Sequence, residues 1–244
     1  MKKILKNIQS LSSSDISKIL TKIEPEIKVY KNKEKNLELL AEKLKEEYKK
    51  DNKYIKYEQL GLEGKDGICF KVIHTGTGKT FAMKTFRKGK TESKLKQEYY
   101  LQKEAYKSRI APKIYDFEFE KEKYIVMEMM DHHLFRNKVV LTKNQQNEIL
   151  SIFRKLDKAK IFFGDPNLLN FMTKDDRIFL IDYGMAKTID KNFISKHGEN
   201  PNFKIMTINL ILTMIDKNCP RKGYKYLLES VDEKDRIKYK LPDD

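Results

Sequence analysis

Asp165 and Asn170 lie five residues apart in FFGDPNLLNFM, and Asp182 follows twelve residues later at the end of the run IFLI. An apolar run leading straight into Asp182-Tyr183-Gly184 reads as a short strand that stops at a turn. Asp and Asn are common turn formers, so D-x-x-x-x-N alone carries little meaning. Three oxygen-bearing side chains at these spacings, on a loop and the strand pair after it, suit a narrower task. One carboxylate can orient a nucleophilic hydroxyl, while an amide and a second carboxylate hold the magnesium of a nucleoside triphosphate.

This stretch resembles the catalytic loop and metal loop of the protein-kinase superfamily, D-x-x-x-x-N followed by D-[FY]-G. Upstream, LGLEGKDGICFKVIHTGTGKTFAMKTF looks like a glycine-rich hairpin followed by a lysine-bearing strand. Gly64 and Gly67 stand three apart, Leu62 occupies the place of the family's first glycine, and Cys69 sits where the family usually has Val. Glycine lets backbone amides approach phosphate with no Cβ in the way. Ala82-Met83-Lys84 matches the family's A-x-K, seventeen residues beyond Gly67, and Phe81, Met83 and Phe86 alternate as a strand requires. The run Thr75–Thr80 ends like a P-loop, but Ile73 stands where that motif needs glycine and FAMKTF reads as a strand rather than a helix. TGTG is therefore expected to be a turn between two strands.

The resemblance implies roles residue by residue. Asp165 would orient the acceptor hydroxyl, and Asn170 and Asp182 would hold magnesium, with manganese as a substitute. Lys84 would bind the α/β-phosphates of ATP. Helix TESKLKQEYYLQKEA, packed through Leu95, Tyr99 and Leu101, would supply a carboxylate to that lysine. Glu98 is the choice there, with Glu92 and Glu104 as alternatives. Gly64, Gly67, Cys69 and Ala82 would cover the nucleotide. Two strands, KIYDFEFE and KYIVMEMM, would end at Met127, guarding the adenine pocket, and Glu128 to Met130 would offer backbone hydrogen bonds to adenine. The methionines serve equally as core.

The chain also departs from the usual pattern. Only 60 residues follow Gly184, and A-P-E is absent. Phe163-Gly164 replaces His-Arg before Asp165, and Asn167 stands where many Ser/Thr kinases have lysine. The whole is similar to Rio-type and other compact microbial or viral kinases. The expected architecture is α+β: an N-terminal helical extension over 1–53, a strand-rich lobe over 54–130, and a minimal helical lobe over 131–244. In the extension Ser14-Asp15 is expected to cap a helix, and KNLELLAEKLKEEYKK to turn Leu37, Leu39, Leu40 and Leu44 inward. Gln145 to Lys160 is expected to form the helix that presents the catalytic loop, and KIMTINLILTMI one buried helix.

A chain of 244 residues can bury a substantial core. Two cysteines give no disulfide framework, no run approaches about twenty apolar residues, and the start lacks a signal peptide's apolar segment. A cytoplasmic place follows, in the host cell if the source is viral. The net charge of +15 invites nucleic acid, but lysines are spread through nearly every segment, so that partner is not favoured. The expected activity is ATP-dependent transfer to Ser/Thr hydroxyls of a protein substrate, without membrane attachment. A small-molecule kinase and a binding-only pseudokinase are the alternatives.

Overall fold

The computed structural model describes residues 1–135 and 140–242. The chain divides into two compact units, one of Met1–Lys90 with Ile114–Met129 and one of Thr91–Lys113 with Met130–Asp244.

Three helices open the first unit: α1 (Lys2–Ile8), α2 (Ser13–Ile23) and α3 (Lys33–Lys49). The cap of α2 is Ser12, whose side chain accepts the Asp15 amide, and not the Ser14-Asp15 pair expected from sequence. Asp15 instead reaches Lys71 on the sheet at 3.1 Å. On α3, Leu40 and Leu44 are fully buried, whereas Leu37 and Leu39 are half-buried at the margin of the same core. That core joins Ile4, Ile8, Ile16, Ile19 and Leu20 to Ile55, Tyr57 and Ile73 of the sheet. Each buried Ile or Leu contributes roughly 1.5–3 kcal/mol. The exposed Lys18–Glu58 pair at 2.9 Å belongs to a class worth about 0–1 kcal/mol. Apolar packing therefore attaches the helices to the sheet.

The sheet itself has five antiparallel strands in the order β1-β2-β3-β5-β4, namely β1 (Tyr54–Leu60), β2 (Gly67–His74), β3 (Thr80–Phe86), β4 (Ile114–Glu118) and β5 (Tyr124–Met127). TGTG forms the β2–β3 turn, closed by the His74 amide on the Lys79 carbonyl at 2.9 Å, and FAMKTF is strand as expected. Helix α1 sits on this turn, where Asn7 Nδ2 donates to the Thr77 carbonyl at 2.8 Å.

The second unit begins with α4 (Glu92–Lys107), followed by β6 (His132–His133), α5 (Lys143–Lys158) and β7 (Ile161–Phe162). Strands β8 (Phe171–Lys174), β9 (Arg177–Leu180) and β10 (Lys187–Thr188) come next, then helices α6 (Lys191–His197), α7 (Thr207–Asp216), α8 (Lys225–Glu229) and α9 (Glu233–Lys238). A π-helical turn, Asn202–Met206, runs directly into α7. β6, β8 and β9 form one sheet, and β7 pairs with β10. α5 starts two residues before Gln145 because Thr142 and Gln145 form a reciprocal capping box. Its apolar stripe of Ile149, Leu150, Phe153 and Leu156 shares a core with Phe163, Phe171, Leu180, Tyr183 and the buried face of α7.

Helix α4 falls in this second unit rather than with residues 54–130. Leu101, Ala105, Ile110 and Ala111 belong to its core, and the Leu180 amide donates to the Ile110 carbonyl at 2.9 Å. No helix among the described residues is long and apolar enough to cross a membrane.

Candidate active site

Four candidate residues of the first unit lie on one face of its sheet. Cys69 pairs with Lys84 across β2–β3, and Ala82 pairs with Met127 across β3–β5. Directly paired residues, and residues two apart on one strand, share a face. Cys69, Ala82, Lys84 and Met127 are therefore neighbours by register. Lys84 is 6% exposed, with its ammonium 5.2 Å from the centre of the Phe86 ring. Burying an ammonium is costly unless it is paired, so a lysine this buried marks a place built for it.

Gly67 opens β2 at φ 159°, and a Cβ there would run into the Thr85 carbonyl of β3. Its requirement for glycine is thus backbone crowding within the hairpin. Gly64 is different, since a Cβ there would meet only the Gly67 carbonyl at an ordinary 3.5 Å. The Gly64 amide donates to that same carbonyl at 2.9 Å, closing the loop between β1 and β2. Glu128 follows β5 directly, near the end of the first unit, and the buried Met130 opens the longer segment of the second.

In the second unit, local backbone bonds carry the polar residues. Gly164 has φ 77°, which swings the chain from β7 into the loop, and a Cβ there would crowd the Met185 carbonyl at 3.1 Å and the Phe162 ring at 3.3 Å. Asp165 comes next, with Oδ1 accepting the Asn167 amide at 3.0 Å. Asn167 Oδ1 accepts the Leu169 amide, and the Asn167 carbonyl accepts the Asn170 amide, each at 3.0 Å. Asn167 therefore shapes the loop as a cap.

The spacing of twelve between Asn170 and Asp182 is the length of a hairpin. β8 and β9 pair Phe171 with Leu180, and the Ile181 amide donates to the Asn170 carbonyl at 2.9 Å. Asn170 and Asp182 thus stand at the same open end. Asn170 is 6% exposed, and its Nδ2 has no hydrogen-bond partner among the described residues. Asp182 sits in the left-handed region at φ 64°, ψ 78°, and its Oδ1 accepts the Gly184 amide at 3.3 Å. Backbone strain at a non-glycine residue beside an unpaired buried amide is a pattern of functional sites.

Tyr183 fixes this turn to the loop. Its ring is fully buried and meets Phe163 edge-on at 5.2 Å. Burial pushes its phenol pKa up, and its hydroxyl has no partner among the described residues. On α4, Glu98 is 1% exposed, while Glu92 and Glu104 are exposed and pair with Lys96 and Lys107 of the same helix. Of the three carboxylates considered, only Glu98 is buried. Its neighbour Gln97 donates to the Ala186 carbonyl at 2.9 Å, tying α4 to the segment that follows Asp182.

Among the buried polar residues that sequence reasoning missed are Asp157 and Asn202. Asp157 lies four residues beyond Phe153 on the apolar stripe of α5, a signal that it points inward. Nothing in the sequence around Asn202 marks it.

Residues 54–201, more than half of the chain, match the family model of the protein kinase domain, and the chain belongs to that family. The match starts at β1 and stops where the π-helical turn begins. Its fold is the α+β fold of that family, and membership supports a phosphotransferase. A comparison with curated proteins gives no match.

Proposed function

We propose that the chain is an ATP- and magnesium-dependent kinase of compact, atypical type, acting on Ser/Thr hydroxyls of proteins. One observation carries this reading. Asp165, Asn170 and Asp182 are mounted on a single framework, with Asn170 and Asp182 at one end of the β8–β9 hairpin and Asp165 bonded into the loop that feeds it.

The donor set suits a hard cation: one carboxylate and one amide, leaving other positions to phosphate and water. Asn170 and Asp182 would hold it, and when bound it would neutralise charge on the phosphate oxygens. Asp165 orients the acceptor hydroxyl and takes up its proton as that oxygen bonds the γ-phosphorus and the bond to the β-phosphate oxygen breaks, with ADP leaving. Lys84 holds the α/β-phosphates, and Glu98 is the buried helix carboxylate of the set. Cys69, Ala82 and Met127 supply an apolar face for adenine, and the backbone from Glu128 to Met130 its hydrogen bonds.

Incubation with γ-labelled ATP, magnesium, and a panel of proteins and small alcohols tests the reading. Label on Ser or Thr supports it. Label only on a small alcohol would shift the substrate class, and ATP binding without transfer would indicate a pseudokinase.

A further inference from the structure

Lys90 closes the turn that follows β3. Its amide donates to the Arg87 carbonyl at 3.2 Å, and its carbonyl accepts Lys123 Nζ at 2.9 Å. With the backbone so held, its side chain is only 8% exposed, and the ammonium lies 5.0 Å from the centre of the Phe86 ring. Lys84 Nζ lies 5.2 Å from the same centre. Phe86 stands two residues beyond Lys84 on β3, and so on the face that carries Cys69, Ala82, Lys84 and Met127. Two largely buried ammoniums therefore meet one aromatic ring on the face assigned to the nucleotide. The ring attracts each cation weakly, while both have left water and they repel one another. Such a pair calls for anionic charge close by.

Asp66 supplies part of that charge to Lys90, at 3.4 Å. It belongs to the loop between β1 and β2, next to Gly67, and its side chain is 39% exposed. The pair is loose, since well-made contacts between charged groups run at about 2.7–2.9 Å. The same loop is tied to the turn in two other ways. The Arg87 amide donates to the Asp66 carbonyl at 3.1 Å, and Arg87 pairs with Glu63 at 2.7 Å, both side chains half exposed. Holding the loop thus needs neither the Asp66 carboxylate nor a buried lysine.

We propose that Lys90 is a second phosphate-binding cation of the nucleotide site, which exchanges Asp66 for the terminal phosphate of a bound nucleoside triphosphate. The proposal rests on the phosphotransferase reading above. Along β3, Ala82 beside Met127 marks the adenine end, Lys84 comes next, and Phe86 follows. A cation over Phe86 lies beyond the one assigned to the α/β-phosphates, toward the end of the triphosphate. A terminal phosphate brings more charge and more acceptor oxygens than one carboxylate, so it displaces Asp66 from Lys90.

The test uses the full chain with Lys90→Met, which keeps the buried stem, with Asp66→Asn, and with Lys88→Met as a control for net charge. Lys88 is exposed in the same turn. Calorimetry gives the affinities of each for magnesium-ATP and magnesium-ADP, and thermal unfolding confirms the fold. Lys90→Met should weaken ATP by about tenfold or more and leave ADP within about threefold. Asp66→Asn should tighten ATP by about threefold, because the competing carboxylate is gone, and Lys88→Met should leave both nucleotides within about twofold. Native ATP affinity in Lys90→Met would overturn the proposal. Equal losses of ATP and ADP, or a loss of ATP in Asp66→Asn as well, would overturn it too and leave Lys90 as a latch for the loop. Should Lys90→Met fail to fold, Asp66→Asn decides alone, and ATP affinity that does not rise contradicts the proposal. If neither nucleotide binds the unaltered chain, the functional reading fails and the proposal with it.

Discussion

The backbone carbonyl of Asn170 accepts the amide of Ile181 at 2.9 Å, one residue before Asp182. This bond extends the β8–β9 ladder by one rung and brings an amide and a carboxylate, twelve residues apart in sequence, to one edge. Asp182 pays for its place with a left-handed backbone, a conformation Asp and Asn tolerate better than other non-glycine residues.

Asp182→Asn should therefore fold normally, because Asn keeps both the left-handed preference and the contact with the Gly184 amide. A neutral amide is a poorer ligand for a hard dication. ATP affinity with magnesium should fall by about tenfold or more, roughly 1.4 kcal/mol, while affinity without magnesium stays unchanged. Titrating ATP with and without the metal checks this. An undiminished magnesium enhancement would place the metal elsewhere.

Gly164→Ala should be damaging out of proportion to one methyl group. The left-handed backbone costs a non-glycine residue about 1–2 kcal/mol, and the Met185 carbonyl would have to give way. The loss should lower Tm by several degrees, at about 2–4 °C per kcal/mol for a chain of this size, and turnover should fall because Asp165 is the next residue. A variant with native Tm and turnover would contradict the packing described for this position.

Tyr183→Phe should stabilise the protein. The Tyr183 hydroxyl is buried with no partner among the described residues, and a buried unsatisfied group costs about 1–3 kcal/mol. The phenyl ring preserves the edge-on contact with Phe163. Calorimetry should show a higher Tm. A fall of more than about 1 kcal/mol would mean that the hydroxyl is bonded after all.

Much of this arrangement was legible from residue spacing. FAMKTF alternates, so Ala82 and Lys84 had to share a face, and a β8–β9 hairpin was implicit in the distance from Asn170 to Asp182. Other features depend on tertiary contacts that no local pattern encodes. Ser12, rather than Ser14, caps α2, because any of three successive serines satisfies the same rule. Helix α4 reads as part of the strand-rich segment by position in the chain, yet Leu101 and Ala105 are buried with Leu180 and Phe153. Asp157 and Asn202 break the expectation that buried positions are apolar, and only the pairing of each with the other and with backbone makes their burial tolerable. Gly64 reads as a phosphate-approach residue, but its amide closes the loop by donating to Gly67.

Activity should not require phosphorylation of the segment after Gly184. That segment is already held by the β7–β10 pairing, by the Ile189 amide on the Lys160 carbonyl at 2.7 Å, and by Gln97 on Ala186. Ordering such a segment is what an added phosphate accomplishes elsewhere. Phosphatase-treated protein, and the Thr188→Ala/Ser195→Ala variant, should retain activity within about threefold of untreated protein. A strict dependence on phosphate at either residue would overturn this account of the segment.

The most direct test is phosphoryl transfer from γ-labelled ATP by the unaltered chain and by Asp165→Asn, assayed side by side with magnesium-ATP affinity and Tm. Asn keeps an oxygen for the Asn167 amide, so the loop should hold its shape. The removed carboxylate is the proposed acceptor-orienting group and base, and its loss should lower turnover by roughly 10²-fold or more with ATP affinity and Tm nearly unchanged. Near-native turnover in Asp165→Asn would contradict the assignment of Asp165, and with it the catalytic site described above.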